Sequence, residues 1–397
     1  MAAAGVLGIG AVLALALASH EAAIALGFLL LGVVRVEPAP SDVLLAVIAA
    51  TAISTGRVDL RRIPGSMLAL LVVLLALNVL SMAAAEQPGE ALRFFAITLY
   101  LVVLAIWLTS YLRTSTRMQL VIGAYVAGAV ASAALAVAAL FLAHPGHELL
   151  TGEGMTRAQG LFKDPNVFGP FLVPAALIML EETLRPRLLG LRRPVSAALL
   201  AVLVLGIVFA YSRAAWLNLL VAVIAMLLAM SLRTDAARGA VAALAVVAVV
   251  AAVAGAAVVL TGSSGFLQER ARVQAYDTAR FSAQRTGVQL ASEHIVGVGP
   301  GQFEHDQPVS AHSIYVRVLA EQGVLGLATL VALLAGTLVL AARNALAGRD
   351  AHGVGSAVLL GAWCGLLANS AFVDTLHWRH LWLVVALIWV AAMRTGR

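Results

Sequence analysis

The residues best suited to chemistry lie in and around one long polar stretch, residues 262–308, of a 397-residue chain. The stretch carries four arginines, a glycine-rich turn at 297–301 and, just beyond its end, His312. A guanidinium offers phosphate a rigid fork of donors that never loses its charge. A neutral imidazole can take a proton from a hydroxyl group. Because loops of this length are rarely idle, we expect the chemistry of the protein to reside here.

Arginines near this stretch are candidate ligands for an anion. Arg280 and Arg285 precede residues 286–294, which are predicted to form a short amphipathic helix. Arg213 lies in the short turn 211–213 between two apolar segments. A charge so close to hydrocarbon is costly unless it faces protein, water or an anion, so Arg213 is a functional candidate. The competing interpretation is an interfacial arginine that reaches the lipid headgroups.

His312 is the candidate general base. It is predicted at the start of a helix with Ser310 as the cap, and the positive end of a helix disfavours an imidazolium ion. The ring is therefore expected to be neutral and able to accept a proton. The competing interpretation is a polar histidine at the membrane interface, without a chemical role.

A second polar group precedes the seventh apolar segment and contains Lys163, the only lysine of the chain, followed by Asp164, Pro165 and Asn166. An Asx residue followed by proline is a common start of a helix, so Asp164 is a candidate cap. Contact of these polar side chains with a substrate is the alternative. A smaller loop, residues 144–166, would present them.

Other functional classes find little support. The acids of the long stretch show no paired spacing apart from Glu304-His305-Asp306, which is weak evidence for a metal site, and we predict none. The single cysteine, Cys364, lies in an apolar segment and excludes a role for disulfides within the chain. The net charge of +6 comes without a basic arm, so nucleic acid is not an expected partner.

The composition predicts an all-α, polytopic integral membrane protein with a single domain, residues 1–397. Hydrophobic residues make up 62% of the chain and charged residues 12%, with a mean hydropathy of +0.97. Apolar stretches of the length that a ~30 Å hydrocarbon layer requires recur throughout. The predicted segments number 12 or 13, since the first two form either one span or two. They cover residues 3–19, 22–34, 42–55, 66–85, 91–111, 119–143, 167–183, 195–211, 215–231, 239–261, 314–342, 353–372 and 381–394.

The short loops predict the orientation. Arginines fall in alternate loops, which should therefore be cytoplasmic. They are Arg57, Arg61, Arg62, Arg113, Arg117, Arg185, Arg187, Arg192, Arg193, Arg233, Arg238, Arg343, Arg349, Arg394 and Arg397. The opposite, periplasmic face would then receive the turn with Arg213, the 144–166 loop and one large loop, residues 262–313. Every chemically suggestive residue falls on that face.

Three motifs taken in order resemble the bacterial O-antigen ligase and O-antigen polymerase superfamily. They are Gly297-Val298-Gly299-Pro300-Gly301-Gln302-Phe303, then Ala311-His312-Ser313-Ile314-Tyr315, then residues 319–327, Leu-Ala-Glu-Gln-Gly-Val-Leu-Gly-Leu. Ser212-Arg213 and residues 162–166 also fit, and the resemblance extends over about residues 150–345. One departure is Ser313, where the family often has asparagine after the histidine.

The resemblance implies a metal-independent, inverting glycosyltransferase with a GT-C-like membrane fold in the inner membrane, without a cofactor. Its donor would be a glycan on undecaprenyl diphosphate, and its acceptor the lipid A-core or another glycan. His312 would be the base, and Arg213 and Arg285, with Arg280 in reserve, would bind the diphosphate. The remaining candidates for substrate contact are Lys163, Asp164, Asn166 and Tyr315.

Several alternatives remain open on the sequence. A polymerase that joins lipid-linked repeat units, or an enzyme that glycosylates protein hydroxyls, would share the donor and the motifs. The presence of one sizeable loop favours a ligase. A transporter or flippase should carry charges inside its spans, but the predicted segments show only mild polar residues, Asn78, Asn218 and Asn369. A non-catalytic scaffold would not require a cluster of arginine and histidine.

Overall fold

A computed structural model describes residues 19–142, 146–152, 154–232, 237–271, 275–306 and 310–393. The helices of this part of the chain are α1 (His20–Leu29), α2 (Pro40–Ser54), α3 (Gly65–Ser81), α4 (Pro88–Tyr111), α5 (Ser115–Phe141), α6 (Pro165–Leu184), α7 (Arg193–Phe209), α8 (Arg213–Ser231), α9 (Ala237–Leu260), α10 (Ser264–Ala271), α11 (Ala275–Glu293), α12 (Phe303–Asp306), α13 (Ile314–Leu346), α14 (Ser356–Ser370) and α15 (Arg379–Ala392). Two antiparallel pairs of two-residue strands accompany them, β1 (Thr151–Gly152) with β2 (Arg157–Ala158) and β3 (Asp350–Ala351) with β4 (Val354–Gly355).

Apolar helices dominate the described residues, which confirms the predicted all-α membrane fold. Seven are long and apolar enough to cross a membrane, and five shorter apolar helices of 10–17 residues accompany them. These twelve helices match twelve of the thirteen predicted segments. The remaining segment, predicted at residues 3–19, lies outside the described residues apart from its last position.

Helix starts follow local chemistry. Thr114 caps α5, Asp164 caps α6 and Ser212 caps α8 with side-chain oxygens that accept backbone N–H groups. Proline, whose missing N–H costs nothing in a first turn, opens α2, α4 and α6. The most buried of the long helices is α6, with 83% of its apolar window inside the protein, so the bundle is organised around it.

Successive apolar helices run up and down the bundle, and side-chain contacts define its two ends. At one end, the start of α2 meets the start of α15 through Asp42 and Arg379. At the opposite end, Asp59 lies 3.9 Å from Arg113, the residue that follows the last turn of α4. Most of the arginines that predicted the cytoplasmic side lie in loops or helix termini at this second end, within the described part of the chain.

The long helix α13 is broken near its start. Gly323 has φ 69° and ψ −172°, so a helical segment up to Gln322 meets a longer one from Val324. A Cβ atom at this position would lie 2.0 Å from the carbonyl oxygen of Ile295, so only glycine fits. The predicted segment 314–342 is therefore two helical pieces, and the first belongs to the candidate site.

Candidate functional site

Six of the described apolar helices begin at the end of the bundle that carries His312. They are α2, α4, α6, α8, α13 and α15. A helix N-terminus carries a positive partial charge, because its first backbone N–H groups have no partner within the helix. Convergence of several such termini with arginines makes this end suited to an anion.

His312 occupies an uncommon backbone conformation between Ala311 and the start of α13. Its φ of 47° lies in the left-handed region, which side chains other than glycine rarely adopt. The preceding carbonyl, that of Ala311, accepts a hydrogen bond from Gln284 on α11 at 3.2 Å. Such strained positions often occur at functional sites, which supports His312 as a functional candidate.

Ser310 is not the helix cap that the sequence predicts. Ser313 takes the N-cap position of α13, without a side-chain cap bond. Ser310 instead accepts the backbone N–H of His312 at 3.5 Å and donates to Glu304 at 2.8 Å. The reason is that the chain turns sharply at His312, which delays the helix start to Ile314. Ser310 therefore stabilises the turn that leads to His312.

The surroundings of His312 keep its ring neutral. Burial, followed by the positive charge of Arg280, lowers the pKa of His312. The negative charges of Asp164, Glu304 and Asp374 oppose this shift but do not overcome it. The sequence attributed neutrality to the helix end, whereas burial and an arginine are the larger causes. The ring is half-buried and available to accept a proton.

Arg213 is the first residue of α8, directly after the turn at Tyr211, whose φ is 48°. Its Nη2 atom donates to Asp277 Oδ1 at 2.5 Å, and about 31% of its side chain is exposed. Asp277 lies on α11, so this ion pair docks α11 onto the start of α8. The guanidinium is thereby held at the end of the bundle rather than free to reach lipid headgroups.

Helix α11 is longer than predicted and orders the arginines of the polar stretch. It covers Ala275–Glu293 rather than residues 286–294 alone. Asp277, Arg280 and Gln284 follow the helical period and face the bundle. Arg285 lies about 140° around the helix from Arg280 and is exposed. The structure therefore brings Arg280 close to His312 and turns Arg285 away from it.

The Lys163 group lies at the start of α6. Asp164 caps α6 by accepting the Asn166 N–H at 2.8 Å, which confirms its predicted capping role. Asn166 Oδ1 accepts a hydrogen bond from Arg157 at 3.1 Å. Lys163 pairs with Glu37 in the loop before α2. Of this group, Asp164 acts on His312 through its charge, which raises the pKa of His312.

Tyr315 lies three residues after His312, in the first turn of α13. Its hydroxyl donates to the backbone carbonyl of Leu367 at 3.3 Å. The bond ties the first turn of α13 to α14. In this arrangement Tyr315 anchors the segment that carries His312, and a direct contact with substrate stays a prediction.

A buried ion cluster beside His312 was missed by the sequence analysis. Arg317 is 4% exposed and donates to Glu321 at 3.2 Å and to Asp374 in the loop before α15. The expectation that the spans carry only mild polar residues is thus wrong for α13. A charged pair four residues apart inside an apolar segment was the available signal.

Arg317 stabilises the negative charges of the cluster. Burial disfavours the charged form of Asp374, but the charge of Arg317, together with His377 and hydrogen bonds from Arg317 and the Leu376 N–H, holds the pKa of this carboxyl below its usual range. Glu304 lies 3.5 Å from the same guanidinium. Both carboxylates act on His312, so Arg317 fixes two of the charges that surround the candidate base.

The glycine motif at 297–301 wraps around the break in α13. The N–H groups of Val298 and Gly299 donate to the carbonyls of Ala320 and Glu321, both at 3.0 Å. A Cβ atom at Gly297 would lie 2.3 Å from the carbonyl carbon of Glu321. Gly297 also has a φ of 80°, so both space and conformation require glycine. We call this motif the glycine clasp, because it holds the start of α13, directly after His312, through backbone hydrogen bonds.

Within the described residues, no group of three or more histidine, cysteine, aspartate or glutamate side chains is arranged to hold a metal ion. Glu304 is engaged by Ser310 and Arg317. His305 contacts the side-chain amide of Gln87.

Fold and site together define a polytopic α-helical membrane protein with a histidine and arginines gathered at one end. Residues 198–331, about a third of the chain, match the family described as O-antigen ligase. This match confirms the resemblance to the O-antigen ligase and polymerase superfamily. The matched region contains Arg213, Arg280, Arg285 and His312 but not Lys163. No curated protein matches the chain.

Proposed function

We propose that the protein is an O-antigen ligase-like glycosyltransferase that moves a glycan from undecaprenyl diphosphate to a hydroxyl of the lipid A-core. The observation that carries the proposal is a neutral His312 under the charge of Arg280, on the face of α11 whose Asp277 pairs with Arg213, at the end of the bundle where six apolar helices begin. An anionic leaving group and a general base need these two kinds of residue side by side.

In the proposed reaction, His312 removes the proton of the acceptor hydroxyl as its oxygen attacks the anomeric carbon of the donor. The bond between this carbon and the diphosphate oxygen breaks, and the configuration inverts. Undecaprenyl diphosphate leaves with the bonding electron pair. Fixed donors aimed at the departing charge lower the barrier without reorganisation at the moment of reaction.

Arg213 and Arg280 are the proposed ligands of the diphosphate, with Arg285 at the exposed rim where the donor enters. The sequence predicted Arg285 as a main ligand and Arg280 as a reserve. The proposal exchanges these two roles because α11 turns Arg280, rather than Arg285, toward His312. Because arginine charge would take the part of a divalent ion, we propose that transfer needs neither metal nor cofactor. The site would lie on the periplasmic side of the inner membrane, and membrane lipid would surround the bundle.

The first test is His312→Ala in purified full-length protein. Transfer should fall by at least about 10²-fold, in the range that a general base contributes. Binding of undecaprenyl diphosphate should stay within a few fold of wild type, because a base acts on the barrier and not on ground-state affinity. Excess chelator should leave wild-type transfer unchanged.

Transfer by His312→Ala within a few fold of wild type would remove this residue from the mechanism. Strict dependence on a divalent ion would overturn the proposed arginine-only stabilisation. A deletion strain separates the ligase from the polymerase. Loss of all polymer from the lipopolysaccharide, with lipid-linked polymer retained, indicates a ligase, whereas single repeat units on the core indicate a polymerase.

A further inference from the structure

A large cavity lies beside the candidate active site and is not explained by it. Its volume is about 890 Å³, and it lies among the segment 31–38 after α1, helices α2 and α4, the start of α6 and residues 377–380. Along α4 it extends from Arg93 to Leu101, which corresponds to roughly 12 Å of helix. A cavity of this depth can receive part of a lipid chain as well as a headgroup.

The walls of the cavity are mainly apolar. They include Leu31, Val34, Val43, Ala46, Ile97 and Phe171. Sugar hydroxyls would lose their hydrogen bonds to water against such walls, at a cost of several kcal/mol for each unpaired group. Hydrocarbon would gain from burial there. The interior therefore fits the chain of an amphiphile rather than a glycan.

Cations gather at the rim of the same cavity. Arg93 and Lys163 reach one carboxylate, that of Glu37, with 2.7 Å between Arg93 Nη2 and Glu37 Oε2. The hydrogen bond from Lys163 is the main cause that lowers the pKa of Glu37. All three side chains are about half exposed. A guanidinium and an ammonium that converge on one anion form a suitable place for a phosphate.

The buried imidazole of His380 indicates which kind of lipid chain fits the cavity. His380 lines the cavity and is 3% exposed, and its Nε2 atom has no hydrogen-bond partner among the described residues. Its ring lies 5.0 Å from that of Trp378 and 5.6 Å from that of Phe171. A buried polar atom normally has a partner. The ester or amide carbonyl of an acyl chain supplies one, whereas an isoprenoid chain has no such group.

The cavity shares a wall with the active site. Phe94 lines the cavity, and the guanidinium of Arg317 lies over its ring at 4.7 Å. Arg317 in turn holds Asp374 and Glu304, which act on His312. Arg213 and Arg280 are not among the lining residues. The molecule therefore offers a second place with arginine and lysine side chains, apart from Arg213 and Arg280, where Arg93 and Lys163 pair with Glu37 and Glu90.

We propose that this cavity binds the phosphorylated and acylated end of the acceptor lipid. Arg93 and Lys163 would bind a phosphate of its headgroup, and His380 Nε2–H would donate to an acyl carbonyl. The naming of lipid A as this acceptor rests on the proposed function. The recognition of an acylated, phosphorylated amphiphile rests on the cavity alone.

The test measures binding of detergent-solubilised lipid A to purified full-length protein, with undecaprenyl diphosphate as a second probe. Ala46→Phe fills the cavity without a change of charge, and Arg93→Gln removes a rim cation. Each should weaken lipid A binding at least tenfold and leave undecaprenyl diphosphate binding within twofold. Ala50→Phe, four residues along α2 at an exposed position outside the lining, is the matched control and should behave as wild type.

Equal lipid A affinity in wild type, Ala46→Phe and Arg93→Gln would overturn the proposal. So would weaker binding of undecaprenyl diphosphate in these variants, because the cavity would then belong to the donor. Displacement of lipid A by an equal concentration of inorganic phosphate would also contradict it, since the acyl chain would contribute nothing. If Ala46→Phe does not fold, Arg93→Gln, at a half-exposed position, carries the test.

Failure of the proposed function would be visible separately. Lipid A binding that depends on the cavity, together with undiminished transfer in His312→Ala, would refute the catalytic role of His312 and leave the cavity assignment in place. The opposite pattern would retain the proposed role of His312 and remove the cavity from the acceptor site.

Discussion

At the scale of single residues, the protonation state of His312 depends on its neighbours. Burial and the charge of Arg280 lower its pKa, and three carboxylates raise it. The net effect keeps the imidazole neutral near pH 7, where a base must be unprotonated. The protein thus places a cation close to its candidate base, and the same cation is suited to an anionic leaving group.

This arrangement predicts how activity depends on pH. Transfer should fall as the pH decreases through the pKa of His312, which lies below the ordinary 6.5. Arg280→Gln removes a charge that lowers this pKa, so the acid limb of kcat/KM should move to higher pH, in addition to any loss of maximal rate. Glu304→Gln removes a charge that raises it and should move the limb to lower pH.

The matched control is Arg285→Gln, which removes an exposed arginine of the same helix. Its acid limb should coincide with that of wild type. The profile is measured from initial rates between pH 4.5 and 8, a range of roughly two units on either side of the ordinary histidine pKa. A limb that does not move in Arg280→Gln would show that Arg280 does not act on the titrating group.

At the scale of elements, the break in α13 determines where His312 and Arg317 lie. The first piece of the helix carries Arg317 and directly follows His312, and the glycine clasp at 297–301 holds it through the carbonyls of Ala320 and Glu321. A continuous helix would have no room for the clasp, because the Ile295 carbonyl lies against Gly323. The break therefore positions the site, and the glycines make it possible.

Gly323→Ala should consequently impair both stability and transfer. The new methyl group meets the Ile295 carbonyl, and an alanine at positive φ is itself strained, so we expect a loss of at least about 1 kcal/mol. Gly255→Ala is the control, since a Cβ atom there meets nothing within 4 Å. Thermal unfolding in detergent, with a transfer assay, checks both. An unchanged unfolding temperature for Gly323→Ala would contradict the role assigned to the break.

At the scale of the whole molecule, the up-and-down course of the helices separates two kinds of arginine. Within the described residues, most arginines of the short basic loops lie at one end, and Arg213 and Arg280 lie at the other with His312. This separation agrees with the rule that basic loops remain cytoplasmic. We therefore propose that the candidate site lies on the opposite face, where a lipid-linked glycan donor would have to be presented.

Cysteine labelling tests this orientation. In a Cys364→Ala background, cysteines at Ser264, Ser282 and Ser310 should react with a membrane-impermeant maleimide once the outer membrane is permeabilised. A cysteine at Ser115, at the opposite end of the bundle, should react only after the inner membrane is broken. Labelling of the first three positions from the cytoplasm alone would end the glycan-transfer proposal, because the donor could not then reach His312.

The sequence by itself determined the class of the protein and most of its helices, for a direct physical reason. A hydrocarbon layer demands long apolar segments whatever their partners, so hydropathy locates them locally. Caps such as Asp164 are equally local, because each binds N–H groups two or three residues away. The motif with His312 and the glycine turn at 297–301 were also visible in the sequence, because both are local patterns. The contact of the glycine turn with α13 was not visible there.

Only the tertiary structure decided which polar residues share a site. The packing of α11 turns Arg280 toward His312 and Arg285 away from it. The composition of a loop does not predict which face of a helix packs against the bundle. Arg317 meets Asp374 across 57 positions of the chain, and the cavity is formed by helices that are distant in sequence. Side-chain partnerships of this kind depend on packing between elements, and packing is set by the surfaces of all the helices together rather than by any one segment.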